Sequence, residues 1–290
     1  MKELLNNHEI ARMKEPVKIR KYSGESVDFR RDKLITSLMN SGADQALANK
    51  IADEVEKRLF EGISTHTIYQ MAFKRLKKQR RTSASRYKIK KAIMELGPSG
   101  FPFEHFVSHI FQFDGYQTEV GVFMKGHCVT HEIDVLARKG NRCCIAECKY
   151  HNTQKKVTDV KVPLYIDSRF RDIMKRIEEE DGNDTDYRGW IFTNTRFTSD
   201  AKEYARCAGI ELVSWDYPLG KSLRDRISNT GLIPITALTT LTRREKNEIL
   251  SKGIVLCAEL YEKKPILTDI GVTRTRLAKV LEDLEELCTL

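Results

Sequence analysis

No run of apolar residues is long enough to cross a bilayer as a helix, which takes about 20 of them. The polar opening, MKELLNNHEI, is not a secretory leader. Both absences speak against a membrane role and for the cytoplasm. The 7 cysteines are odd in number and contain no CxxC pair. Neither Cys143-Cys144 nor Cys144 with Cys148 has a downstream Cys/His pair, so a zinc site is not expected. Those cysteines lie in strand-like runs, which predicts buried free thiols in a reducing compartment. A GxxxxGK[ST] phosphate loop is also missing, which excludes a P-loop nucleotidase.

Acidic residues are missing where base is densest. Lys74–Lys91 holds ten basic residues and no acid. The formal charge is +9 over 290 residues, yet residues 1–96 carry 22 Lys/Arg against 12 Asp/Glu, and the rest carry 28 against 29. The basic character therefore belongs to the N-terminal third. Such a surface favours nucleic acid or nucleotide phosphates; a solvated helix face is the plainer account of one basic run alone.

The centre of the chain is HEIDVLARKGNRCCIAECK, His131–Lys149. Two alternating β-prone runs flank Gly140-Asn141, which predicts a β-hairpin. A two-residue turn pairs Lys139 with Arg142, so residue numbers across the ladder sum to 281 and Asp134 lies opposite Glu147. Lys149 shares the face of Glu147 because strand side chains repeat every two residues. Two acids held together repel unless a cation or proton joins them. A divalent ion beside a lysine is a way to attack a phosphodiester. The plainer alternative is a salt-bridged surface hairpin of small energetic value. Ile133, Val135, Ala146 and Cys148 frame the acids too apolarly for that.

Ahead of this, Val17–Phe29 predicts a small hairpin around Ser23-Gly24, and helices follow over 30–40, Ala46–Phe60, a stretch capped by Ser64, and Ser83–Leu96. Ile19-x-Lys21-x-x-Gly24 and then Phe29-x-x-x-Lys33-Leu34 resemble the opening of the ATP-cone, a nucleotide-sensing domain; Tyr22 stands where that family often has Arg. The resemblance spans about 17–96. It implies a site for ATP or dATP as effector, with Lys21 and Lys33 on the phosphates, Ile19, Phe29 and Leu34 around the purine, and Thr65 as a polar contact.

Gly97-Pro98-Ser99-Gly100 predicts a boundary. Beyond it the expected order is helix, three strands, helix, strand, helix, strand: a sheet covered by helices. Ser199 is expected to cap the helix Asp200–Ala208. With Asp134 and Glu147-Cys148-Lys149 in register, and with Phe103-Glu104, Gly115-Tyr116, Phe192-Thr193-Asn194 and Gly209-Ile210-x-Leu212, residues 101–215 resemble the Mrr-like branch of the PD-(D/E)xK nucleases. The resemblance implies Mg²⁺ on Asp134, Glu147 and the Cys148 carbonyl, Lys149 at the attacking water, and Glu104 as an auxiliary acid; a helix-dipole acid is the other account of Glu104. Lys161, Tyr165, Ser168 and Arg169 are polar candidates on the helix after the hairpin. His131 and His151 are expected to be structural.

Residues 218–290 are expected to be helical, with a capping box at Thr242-Arg243-Arg244-Glu245 and a helix over Thr273–Leu287. The fold class is therefore α/β (α+β): a hairpin plus helical bundle (1–96), a restriction-endonuclease-like mixed sheet (97–217) and a helical segment (218–290). The implied function is a Mg²⁺-dependent DNA endonuclease with a nucleotide-sensing domain, working on DNA as a homodimer. The alternatives are a non-catalytic, nucleotide-responsive DNA-binding regulator and a structure-specific nuclease or resolvase.

Overall fold

Across the central hairpin of the computed structural model, Val135 pairs with Ala146 and Lys139 with Arg142, the register expected from the turn. The structure describes residues 16–21, 24–181 and 185–288. The polar lead-in, Tyr22, Ser23 and the loop at 182–184 lie outside them. Two compact units, Met1–Ser83 and Ala84–Leu290, make up the chain.

In the first unit, β1 (Lys18–Arg20) and β2 (Ser26–Asp28) form the expected hairpin. A two-residue β3 (Ile63–Ser64) adds a parallel partner to β1 that the sequence pattern had not shown, because two residues are too few to display a period. Helices α1 (Arg31–Met39), α2 (Gln45–Glu56) and α3 (Thr65–Gln79) pack beside it. α2 stops four residues before the expected Phe60, and Gly62, at φ 79°, turns the chain into β3 instead of closing the helix. Ser64 caps α3 by accepting the Thr67 N–H at 3.0 Å.

The second unit opens differently from the single helix expected over 83–96. α4 (Arg81–Tyr87) spans the division, and α5 (Ile89–Ile93) follows after a break at Lys88. Ala92, Ile93 and Leu96 are fully buried, in one cluster with α6 (Phe101–Phe113) and the C-terminal helices. The sheet runs β4 (Gln117–Lys125), β5 (Thr130–Lys139), β6 (Arg142–Lys149), β7 (Asp186–Thr193), β8 (Glu211–Val213), antiparallel as far as β6 and parallel beyond it. α7 (Lys161–Asp181) and α8 (Ser199–Ala208) cover the other face. The cap of α8 is Thr198, which accepts the Ala201 N–H at 3.2 Å, and not Ser199; the helix starts one residue earlier than its Ser-Asp pair indicates. Phe111 meets Tyr116, Trp190 and Phe192 edge-on, each at 5.7 Å, which locks α6 to the sheet.

Beyond the sheet come α9 (Leu223–Thr230), a 3₁₀ turn at Ile235–Ala237, α10 (Arg243–Ser251), α11 (Cys257–Glu262), α12 (Ile266–Asp269) and α13 (Arg274–Cys288). The capping box at Thr242 and Glu245 is present. No helix among the described residues is long and apolar enough to cross a membrane.

Gly97 sits where α5 and α6 approach the end of β6. A Cβ there would lie 2.5 Å from the Tyr150 ring. Gly97→Ala is therefore expected to lower stability by about 1–3 kcal/mol through overpacking, read from the urea unfolding midpoint.

Candidate active site

The site forms where the hairpin ladder ends. Pairing between β5 and β6 stops at Val135–Ala146, one step short of Asp134 and Glu147. Beyond that step Asp134 accepts the Cys148 backbone N–H at 2.7 Å through one carboxylate oxygen. The cause is legible in β4. Its ladder with β5 skips Gly121, which stands opposite Asp134 at φ 65°. Ile133 and Leu136, three residues apart, consequently share the cluster beneath α7, while Val135 and Ala137 join the opposite one. The two-residue period slips at Asp134, whose carboxylate reaches the Cys148 N–H.

Glu147 is 7% exposed on a central strand. Burying an ionised carboxylate is costly unless it is paired, and here both oxygens are. Lys149 Nζ approaches one at 2.5 Å and Arg169 Nη1 donates to the other at 2.8 Å. Arg169 also donates to the Glu132 carbonyl and lies 5.5 Å over the Tyr165 ring. Of the four polar candidates on α7, it is Arg169 that reaches the acids. Its signal in the sequence was only a cation on a helix following the hairpin, and nothing in the spacing singled it out.

Glu104 enters from the first turn of α6. Burial, then the charges of Asp134, Glu132 and Glu147, push its pKa up to about 7. Burial and the Glu147 charge likewise raise Asp134 to about 6, against the opposing Cys148 N–H, Lys149 and Arg169. Three carboxylates and two cations thus converge on one end of the sheet. No three His, Cys, Asp or Glu side chains among the described residues stand in a metal-binding group. The expected ligand set needs only two of them with a backbone carbonyl, and its hard oxygen donors suit Mg²⁺.

Behind Lys149 the chain is held rigidly. Tyr150 Oη donates to the Met94 carbonyl at 2.7 Å and accepts the Gly97 N–H at 2.8 Å. Asn194 accepts the His151 N–H at 2.8 Å and donates to the His151 carbonyl at 2.9 Å. His131 pairs with Asp172 on α7 at 2.8 Å, and His151 Nε2 lies 2.9 Å from Thr158 Oγ1, so both histidines have structural partners away from the acids.

In the first unit Ile19 and Leu34 are buried in the core and Phe29 is half-buried. Lys33 is exposed, Lys21 pairs with Glu25 at 2.9 Å, and Thr65 opens α3 half-buried.

Family models match three stretches of the chain. The ATP cone domain matches residues 17–96, a restriction endonuclease domain 97–217, and an AF1548-like C-terminal domain 233–288. An uncharacterized protein of Archaeoglobus fulgidus is 33% identical over 175 residues, 59% of this chain and 94% of its own length. The chain belongs to the AF1548-like family. The crystal structure of AF1548, a protein of unknown function, is similar at 30% identity with a TM-score of 0.54, covering 65% of this chain and 98% of that one. The arrangement is thus an ATP-cone followed by a restriction endonuclease domain and a family-specific C-terminal domain.

The raised acids have a thermodynamic signature. Their folded pKa values lie above the unfolded ones, so the folded chain holds more protons between about pH 4 and 7 and stability falls as pH rises through that window. Glu104→Gln and Asp134→Asn are each expected to raise the melting temperature by a few degrees at pH 8 in EDTA, with the gain vanishing near pH 4. Scanning calorimetry at both pH values checks it.

Proposed function

We propose that the chain is a Mg²⁺-dependent DNA endonuclease whose activity responds to ATP or dATP. The observation that carries this reading is the convergence of Asp134, Glu147, Glu104 and Lys149 at one sheet end, within residues that match a restriction endonuclease domain. Asp134 and Glu147, with the Cys148 carbonyl, would hold the metal. Bound there, Mg²⁺ supplies Lewis-acid polarisation of the scissile phosphate. Asp134 is oriented for this by the Cys148 N–H, which engages only one of its oxygens. Lys149, beside Glu147, orients the attacking water and offsets developing charge. Glu104, entering from the first turn of α6, is the auxiliary acid of this site. Ile19, Lys21, Phe29, Lys33, Leu34 and Thr65 form the nucleotide site of the ATP-cone, although Ile19 and Leu34 serve it from within the core. We take residues 1–96, 97–217 and 218–290 as the three functional modules. Cutting both strands with one site per chain calls for a homodimer or two successive nicks, and symmetry favours the homodimer.

A second reading draws on the ion pairs of Glu147. With Lys149 and Arg169 on its two oxygens, Glu147 is already paired, as suits a nucleotide-responsive DNA-binding regulator without catalysis. The same experiment decides. Glu147→Ala and Lys149→Ala are each expected to cut Mg²⁺-dependent DNA cleavage by about 100-fold or more while DNA binding persists; equal cleavage by wild type and Glu147→Ala would falsify the nuclease reading. Separately, calorimetry with ATP is expected to give a binding isotherm that Lys21→Ala plus Lys33→Ala abolishes. An unchanged isotherm removes those lysines from the site.

A further inference from the structure

The C-terminal domain carries a feature that the sheet chemistry does not use. α12 ends at Asp269 and α13 begins at Arg274, so four residues, Ile270–Thr273, join them, with Gly271 at φ 82° making the turn. A three- to four-residue turn with glycine between two helices is the connection used in the helix-turn-helix arrangement, whose second helix enters the DNA major groove. Packing fixes which face of α13 is available. Leu267 and Val272 anchor the turn in the core, and Val280, Leu284 and Leu287 anchor α13. Arg276 donates to both oxygens of Glu245, at 2.6 and 2.8 Å, and to the Thr240 carbonyl at 2.8 Å, which sets the helix's rotation. Arg274, Thr275, Ala278 and Lys279 are left exposed on its outer face.

Charge names the partner. Residues 252–281 hold six Lys/Arg and three Asp/Glu; Arg276 among the bases is tied to Glu245, and Glu259 among the acids to His109 and to the Val255 and Leu256 N–H groups. Four acids then crowd Glu282–Glu286. Arg274 and Lys279, exposed in the first two turns of α13, attract a polyanion at the end that a recognition helix presents to base edges. Arg and Thr are side chains that read those edges, and a Lys beside them suits phosphate.

We propose that α12 and α13 form a duplex-DNA-binding helix-turn-helix with Arg274, Thr275 and Lys279 as its contacts. It rests on DNA being the partner, as in the reading above, but not on cleavage. The test is fluorescence anisotropy of the full chain with a short labelled duplex in EDTA, over a salt series. Arg274→Ala plus Lys279→Ala is expected to weaken binding about tenfold or more and to lower the salt slope by about 2. The charge-matched control, Arg188→Ala plus Arg206→Ala, is expected to change neither. Equal losses in the two double variants, or none in the first, overturn the proposal. Tighter binding of an RNA duplex of the same sequence does so too, since its deep, narrow groove excludes a helix. Because no metal is present, an inactive site leaves this result standing, and loss of the C-terminal contact leaves the nuclease reading standing.

Discussion

Everything in the candidate site follows from placing Glu147 on a central strand. A buried carboxylate on β6 has no water to pair with, so the surrounding elements must supply cations. Lys149 comes from the same strand, two residues on. Arg169 comes from α7, across the face where the hairpin ladder has already opened. The slip at Asp134, permitted by Gly121, brings a second carboxylate to the same place, and the first turn of α6 brings a third. Burial, and then their mutual repulsion, raises the pKa values of Asp134 and Glu104. A site that strains against its own charge in this way is poised for a cation.

The segment 84–97 gives this sheet end its support. It closes the residues matched by the ATP cone domain, yet it is buried in the second unit. Tyr150, directly after Lys149, is bonded to Met94 and Gly97, and its ring lies 5.7 Å from Phe103, the neighbour of Glu104. Lys88 and Lys246 both donate to the Thr236 carbonyl at 2.9 Å, and Thr236 Oγ1 donates to the Ala92 carbonyl at 2.7 Å. Helix α5 is thus stapled to the C-terminal domain on one side and to the strand carrying Lys149 on the other. The burial of Lys246 in this cluster, with Lys88 beside it, pulls its pKa down to about 7.

The elements that could be read from the chain are those whose period is long enough to express itself. The hairpin register followed from Gly140-Asn141 and the alternation on either side, and it brought Asp134 and Glu147 to the same end of the ladder, one step past its last pair. The order of helices and strands over 101–215, the Ser64 cap and the Thr242 capping box were legible for the same reason: each depends on local hydrogen bonds and nearby side chains. Two-residue β3 and one-turn α12 were not, since neither spans a period. The break at Lys88 and the Thr198 cap of α8 were missed because a helical propensity run does not disclose where packing interrupts or extends it.

Sequence alone determined the catalytic candidates as residue types, their spacing, and the charge asymmetry between the thirds of the chain, because these are properties of covalent order. Tertiary structure decided which other groups meet them. That Arg169 and not Lys161, Tyr165 or Ser168 reaches Glu147, that Glu104 feels Asp134, that Tyr150 ties the strand to residues 94–97, and that α13 turns Arg274 and Lys279 outward are all contacts between positions many residues apart. No local pattern encodes such contacts; they arise when separate apolar faces are buried against one another and carry their polar neighbours with them.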